Sequence, residues 1–181
     1  MFMRRLEILT VALCCGLLVP VATQAAGEYG FGQSATQQQI NSWNIDVAPP
    51  GDNLPAGSGS VHQGQQVYAT RCASCHGVQG QGGPMDRLVG GAGTLNSAKP
   101  VKTVGSYWPY ASTLYDYIRR AMPFTSPGTL TNDQVYAVTA YVLHMNAIVP
   151  DNVVLDAKSL ARVEMPNRAN FLRKDPRPDA P

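Results

Sequence analysis

The stretch Cys72-Ala73-Ser74-Cys75-His76 decides the fold of this 181-residue chain. Its pattern is C-x-x-C-H, in which two thiols three positions apart can bond to the two vinyl groups of one porphyrin. The adjacent imidazole is then placed to ligate the iron of that porphyrin. The motif therefore predicts one covalent haem c, attached through Cys72 and Cys75, with His76 as an axial ligand of the iron.

Three other uses of paired cysteines compete with haem attachment. A zinc site needs two more nitrogen or sulfur ligands, and His62 and His144 are the only histidines outside the motif. A thioredoxin-like redox pair belongs in a βαβ pattern, and no parallel-strand runs flank this motif. A disulfide between cysteines three apart on a helix would be strained. Haem attachment is the favoured interpretation.

Residues 1–25 have the pattern of a cleaved export signal. Arg4 and Arg5 precede an apolar run over residues 8–22, and small residues, ending with Ala25, form a cleavage site. The run is shorter than the roughly 20 residues that a membrane span needs. We therefore expect a periplasmic protein that does not span the membrane after cleavage, with the two motif cysteines as its only thiols.

The charge and length of the chain after residue 25 limit its possible partners and its number of domains. Without the export signal the chain keeps 12 basic and 11 acidic side chains, so nothing indicates a nucleic-acid partner. About 155 residues suffice for one domain of typical size. We expect an irregular N-terminal arm over residues 26–60, a haem domain over residues 61–150, and a C-terminal extension with a loose tail over residues 151–181.

Capping boxes and helical periodicity predict the helices. A short helix follows the cap Thr36 in the arm, and a longer one runs from Val61 to the haem motif. A box from Thr113 to Asp116 predicts a helix that ends at Ala121. A second box, from Thr131 to Gln134, predicts the last helix. The segment 88–108, rich in glycine and proline, is expected to be irregular.

Gly64 lies inside the helix that leads to the motif. Glycine in a helix costs roughly 1 kcal/mol relative to alanine, so we expect another helix to approach closely there. Tyr141 of the last helix is the predicted partner of Gly64 and Tyr68.

The second axial ligand has six candidates. Met122 is favoured because it ends a helix before Pro123 and follows His76 by enough chain to reach the opposite face of the ring. Met165 is expected to follow the folded core. Methionine opposite histidine closes both axial positions, so such an iron transfers electrons and does not activate small molecules. The full set of candidates is Met85, Met122, Met145, Met165, His62 and His144.

Three further residues are candidates for contact with the haem. Pro84 lies in the glycine-rich loop after His76, and its carbonyl is a candidate acceptor for the His76 Nδ1 proton; an ordinary surface turn is the alternative. Tyr107 and Trp108 suit a haem wall with their polar ends at a propionate, although core packing also explains them.

These residues together resemble class I c-type cytochromes. The resemblance covers residues 61–148 and rests on the Gly64 and Tyr68 helix, the motif, Met122 before proline, and Tyr141. It implies an all-α fold in which three or more helices wrap around one covalently attached haem, with irregular N- and C-terminal extensions.

A closer resemblance concerns residues 101–110, 116–124 and 165–168. They are similar to the cytochrome subunits of periplasmic molybdenum-containing sulfite and sulfane-sulfur dehydrogenases. The resemblance implies that the methionine of Arg-Ala-Met-Pro, here Met122, is the distal ligand. It implies a molybdenum sulfur-compound dehydrogenase as electron donor and a respiratory cytochrome or terminal oxidase as acceptor. The larger sulfane dehydrogenase cytochromes carry a second haem, whereas one motif here favours the single-haem type.

Two other functions stay open at this point. The protein could serve another periplasmic dehydrogenase, or it could be a haem enzyme or gas-binding protein with an open sixth site. No cluster of nucleophile, base and orienting residue is visible in the sequence. Asp116 and Arg119 are expected to be surface or propionate-side groups.

The mature protein is predicted to carry one covalent haem. Denaturing mass spectrometry should show the mature chain plus a single haem mass, because the motif uses both remaining thiols. An alkylatable cysteine in the mature protein would contradict the assignment.

Overall fold

The computed structural model describes residues 31–171. The predicted export signal and the predicted loose tail after residue 171 lie outside the described residues. The chain divides into two compact units, with the boundary after Asn44.

The described part of the first unit contains helix α1, Gln37–Trp43. Its N-terminus is fixed by the predicted capping box. The Gln39 N–H donates to Thr36 Oγ1 over 3.2 Å, and the Thr36 N–H donates to Gln39 Oε1 over 2.9 Å. This confirms the predicted cap of the short helix.

The second unit is mostly helical, which confirms the predicted class. Two short strands, which the sequence did not predict, pair antiparallel with Gly59 opposite Leu155. In chain order the elements are β1 Ser58–Ser60, α2 Val61–Arg71, α3 Ala73–His76, α4 Ala111–Ala121, α5 Asn132–Met145, β2 Val154–Asp156, α6 Ala157–Leu160 and a single 3-10 turn Arg168–Asn170. No helix within residues 31–171 is long and apolar enough to cross a membrane.

Helices α2 and α5 cross in contact at Gly64, as predicted. A Cβ atom on Gly64 would lie 1.9 Å from the carbonyl oxygen of Ala137, far inside van der Waals contact. One turn further along α2, the rings of Tyr68 and Tyr141 meet with their centroids 5.4 Å apart. The absence of a side chain at Gly64 therefore sets how closely the two helices pack.

Helix α4 begins three residues earlier than the capping box predicted. It starts at Ala111, and its N-cap residue Tyr110 makes no capping side-chain hydrogen bond. The predicted box with Thr113 and Asp116 is wrong because the Asp116 carboxylate is bound elsewhere, to Arg120 and to the backbone of Val47. In α5, by contrast, the predicted box of Thr131 and Gln134 is present.

The core lies between α4 and α5 and extends into the C-terminal segment. The rings of Tyr115 and Tyr136 are 4.5 Å apart at the contact of the two helices. Met165 is only 4 % exposed and belongs to the same hydrophobic cluster. The expectation that Met165 follows the folded core is therefore wrong. The pairing of β2 with β1 returns the chain to the core after residue 150.

The segment 88–108 contains no helix or strand, as predicted. Two hydroxyl groups hold it in place. Thr103 Oγ1 donates to the carbonyl of Gly90 over 2.6 Å, and Ser106 Oγ donates to the carbonyl of Val101 over 2.7 Å. Side chains thus replace the backbone pairing that a regular element would supply.

Gly64→Ala is predicted to destabilise the protein, although alanine favours a helix by about 1 kcal/mol. The added methyl group would overlap the Ala137 carbonyl, and such overpacking typically costs roughly 1 to 3 kcal/mol. Denaturant unfolding of the haem-loaded protein measures the free energy of unfolding. Gln65→Ala, at the neighbouring exposed position, is the control. A more stable Gly64→Ala variant would show that the helices do not touch at Gly64.

Candidate haem site

The haem motif lies where α2 gives way to α3. Cys72 is the C-cap of α2, and its carbonyl accepts a hydrogen bond from the His76 N–H over 3.0 Å. Both Cys72 and Cys75 are free thiols of intermediate exposure. One helical turn therefore carries both attachment thiols and the imidazole.

The His76 ring is oriented by the loop that follows it. Its Nδ1 lies 2.7 Å from the carbonyl oxygen of Asp86. Because a carbonyl can only accept, Nδ1 carries the proton and the lone pair belongs to Nε2. Nε2 has no hydrogen-bond partner in the part of the chain that the structure describes, so it is available to bind iron.

The acceptor is Asp86 and not Pro84, so the prediction for the Pro84 carbonyl is wrong. The turn around Pro84 folds back on the motif instead. The Met85 N–H donates to the carbonyl of Cys75 over 3.0 Å, and the Gly83 N–H donates to Met85. These hydrogen bonds close the turn and place the carbonyl of Asp86, two residues after Pro84, beside the His76 imidazole.

Tyr68 fixes the start of the same loop. Its hydroxyl donates to the carbonyl of Gly77 over 2.8 Å. Burial, with smaller contributions from Cys72 and Tyr141, raises the pKa of Tyr68 to about 12. The phenol therefore stays neutral and keeps its proton for this hydrogen bond. The helix crossing at Gly64 and the loop that orients His76 are thus linked through one side chain.

The Cys72 thiol is partly buried. Burial, followed by the neighbouring Cys75, raises the pKa of the Cys72 thiol to about 11. Catalytic and redox cysteines instead have a lowered pKa, because the thiolate is the reactive form. The raised pKa of Cys72 therefore disfavours the hypothesis that the motif is a thioredoxin-like redox pair.

Met122 ends α4 in the predicted manner. It is the C-cap residue, its N–H donates to Ile118 over 3.1 Å, and its backbone is extended, with φ −122° and ψ 148°. The side chain is partly buried against the hydrophobic core. A thioether at a helix end in an apolar setting suits an axial ligand, and this role of Met122 remains a prediction.

Tyr107 and Trp108 lie just before α4, among contacts that the sequence did not reveal. The Tyr107 ring is 5.3 Å from the Phe171 ring, and its carbonyl accepts a hydrogen bond from Asn167 Nδ2 over 2.8 Å. Trp108 meets Tyr117 edge-on at 5.8 Å. The C-terminal segment thus contacts Tyr107, whereas α4 contacts Trp108. A haem-wall role for the two residues remains a prediction.

The donor set fits a haem of the c type. It comprises two half-buried free thiols, an imidazole with a free Nε2, and a thioether at a helix end. Among residues 31–171, no three His, Cys, Asp or Glu side chains form a group that could hold a metal ion by themselves. Bound there, a haem would supply the one-electron chemistry of its iron.

A solved structure has a similar fold. One chain of the crystal structure of the sulfane dehydrogenase SoxCD from Paracoccus pantotrophus is 44 % identical to this chain. The match has a TM-score of 0.75 and covers 81 % of this chain and 72 % of that one. The sequence profile of the cytochrome c family matches residues 61–146. This chain belongs to the cytochrome c family.

A second relative also acts on a sulfur compound. The thiosulfate dehydrogenase of Stutzerimonas stutzeri (strain A1501) is 29 % identical over an alignment of 112 residues that covers 55 % of this chain. The match spans only 35 % of the length of that enzyme. The activity named for each of these two relatives concerns a sulfur compound.

The prediction that Asp116 lies at the surface is wrong, because Asp116 is 8 % exposed and paired with Arg120. A position beside a haem propionate, the other alternative, stays a prediction. The i, i+4 spacing of Asp116 and Arg120 was a visible signal for that pair. The contact with Val47, 69 residues earlier, left no local signal.

Met122→Ala is predicted to open the sixth position of the iron. The weak near-infrared band of sulfur-to-ferric-iron charge transfer should disappear, and the reduced protein should bind carbon monoxide. Met165→Ala is the control, because that methionine is buried in the core. If Met165→Ala removes the band and Met122→Ala does not, the distal ligand comes from the C-terminal segment.

Proposed function

We propose that this cytochrome is a single-electron carrier for a molybdenum-containing sulfur-compound dehydrogenase. It accepts electrons one at a time from the dehydrogenase and passes them to a respiratory cytochrome or terminal oxidase. The observation that carries the proposal is the combination of a His76 and Met122 donor pair with a 44 % identical chain in a sulfane dehydrogenase structure.

The donor pair supports electron transfer rather than catalysis. When histidine and methionine both bind the iron, no position is left for a substrate. The protein then contributes ligands, burial and a docking face, and the haem carries the redox change.

The docking face is proposed to combine two exposed loops. One loop follows Met122, where Phe124 and residues 127–129 are exposed. The other follows His76, where Gln81 and residues 84–87 are exposed. Since these loops extend from the two axial residues, a partner that contacts both would lie over the haem edge.

The periplasm is the proposed compartment. The export pattern of residues 1–25 and a covalent haem both support this compartment.

A second candidate function is direct oxidation of a sulfur compound by this cytochrome. The similarity to a thiosulfate dehydrogenase favours it. It requires an iron position that a substrate can reach, and therefore a displaceable sixth ligand.

Reduction by a partner is the test. The cytochrome, oxidised and free of molybdenum, should stay oxidised with sulfite or thiosulfate alone. It should be reduced when the dehydrogenase that co-purifies from the native periplasm is added, with the reduced haem absorption as readout. Rapid reduction by sulfite or thiosulfate without the partner would contradict the proposed carrier function. It would support direct oxidation of the sulfur compound by this cytochrome.

Gln81→Glu and Thr129→Glu are predicted to slow this reduction and leave the haem spectrum intact, because both positions lie on the proposed docking face. Gln65→Glu, on the exposed side of α2, is the matched control. Stopped-flow rates at several ionic strengths provide the measurement. Equal slowing by all three variants would point to net charge rather than docking, and no slowing would place the face elsewhere.

A further inference from the structure

Asp116 is the one charged side chain that is buried in the described range 31–171. It lies in the middle of α4 and is 8 % exposed. A buried charge costs free energy unless it is paired and hydrogen-bonded, and removing its partner destabilises strongly. The position of such a group is therefore closely determined by its contacts.

Its contacts join α4 to an extended segment before β1. Asp116 Oδ1 accepts a hydrogen bond from the Val47 N–H over 2.9 Å and another from Arg120 Nε over 2.8 Å. The second carboxylate oxygen accepts from Arg120 Nη2. Arg119 Nη1 donates to the carbonyl of Ile45 over 2.7 Å. We call residues 45–47 the strap.

The strap fastens the half of α4 that ends at Met122. Asp116 lies six residues before Met122, or about 9 Å along a helix. Arg119 and Arg120 occupy the last turn, where cations also interact favourably with the helix dipole. Val47 is buried, so its N–H is a donor that water cannot easily replace.

The loop after Met122 holds this residue in place less firmly than α4 does. The residues at 124–125 and 127–129 are exposed. Ser126 N–H bonds to the Pro123 carbonyl over 2.9 Å, and Thr129 Oγ1 bonds to the Ser126 carbonyl over 2.8 Å, both within the loop itself. The position of Met122 is therefore determined from the α4 side.

The charge state of Asp116 suits this task. Burial alone would raise the pKa of the Asp116 carboxyl. Hydrogen bonds from Arg120 and the Val47 N–H, with the charges of Arg120 and Arg119, outweigh burial and hold that pKa below its ordinary value. The carboxylate is thus ionised at neutral pH, where its hydrogen bonds are strongest.

We propose that Asp116 is a positioning residue for the Met122 thioether: by holding the strap against the end of α4, it keeps the sulfur within bonding distance of the haem iron. The inference rests on the predicted ligation by Met122 and extends it to a residue outside the ligand set. Without the carboxylate, α4 loses its attachment to the strap, and the fraction of molecules with an open sixth position rises.

Asp116→Ala tests the proposal in the full haem-loaded protein. The near-infrared sulfur band should weaken at temperatures where the far-ultraviolet dichroism still shows a folded chain. The apparent affinity of the reduced form for carbon monoxide should rise by about tenfold, because that affinity scales with the fraction of open sites. Asp116→Asn, which keeps one acceptor oxygen for Val47, should show a smaller change in both.

Two comparisons separate positioning from general stability. Leu155→Ala removes a buried side chain from β2, outside α4 and the strap, and should lower the melting temperature with the band unchanged. Arg120→Gln, at a side chain that is 46 % exposed, is a milder variant that should fold even if Asp116→Ala does not. It should move both readouts in the same direction as Asp116→Asn.

The proposal is overturned if a folded Asp116→Ala or Arg120→Gln variant keeps an intact near-infrared band and an unchanged affinity for carbon monoxide. The proposal is also overturned if Leu155→Ala, with the same melting temperature as Asp116→Ala, loses the band to the same extent. Met122→Ala tests ligation by Met122 separately from positioning by Asp116. A near-infrared band that survives Met122→Ala would refute the ligation itself.

Discussion

The contact between α2 and α5 at Gly64 is the constraint on which the haem site depends. Only a residue without a side chain lets the Ala137 carbonyl lie where a Cβ atom would be. The helix so fixed ends at Cys72, and the next turn carries Cys75 and His76. Tyr68, on the same helix, then holds the Gly77 carbonyl at the start of the loop that returns Asp86 to the imidazole. Packing at one backbone position thus determines the orientation of the His76 imidazole, the predicted iron ligand.

The parts of the fold that the sequence predicted are those with local causes. The capping boxes at Thr36 and Thr131 use contacts three residues apart. The haem motif is a single turn, and the end of α4 follows from the restriction that Pro123 places on Met122. Gly64 was predictable as well, because its cost within a helix indicated a compensating contact.

The errors arise from contacts between distant segments. Asp116 was read as half of a capping box, but its carboxylate binds a backbone N–H 69 residues earlier. Met165 was placed beyond the core, because three residues of β2 carry too weak a strand pattern to show that the chain returns. For Pro84, the loop was identified correctly but the carbonyl was not. Which carbonyl faces an imidazole depends on how a glycine-rich turn closes, and several glycines there adopt positive φ.

The C-terminal segment also bears on how the protein matures. Leu155, Leu160 and Met165 complete the core, and Asn167 binds the backbone just before α4. Folding therefore cannot finish until nearly the whole chain has emerged on the far side of the membrane that it is proposed to cross.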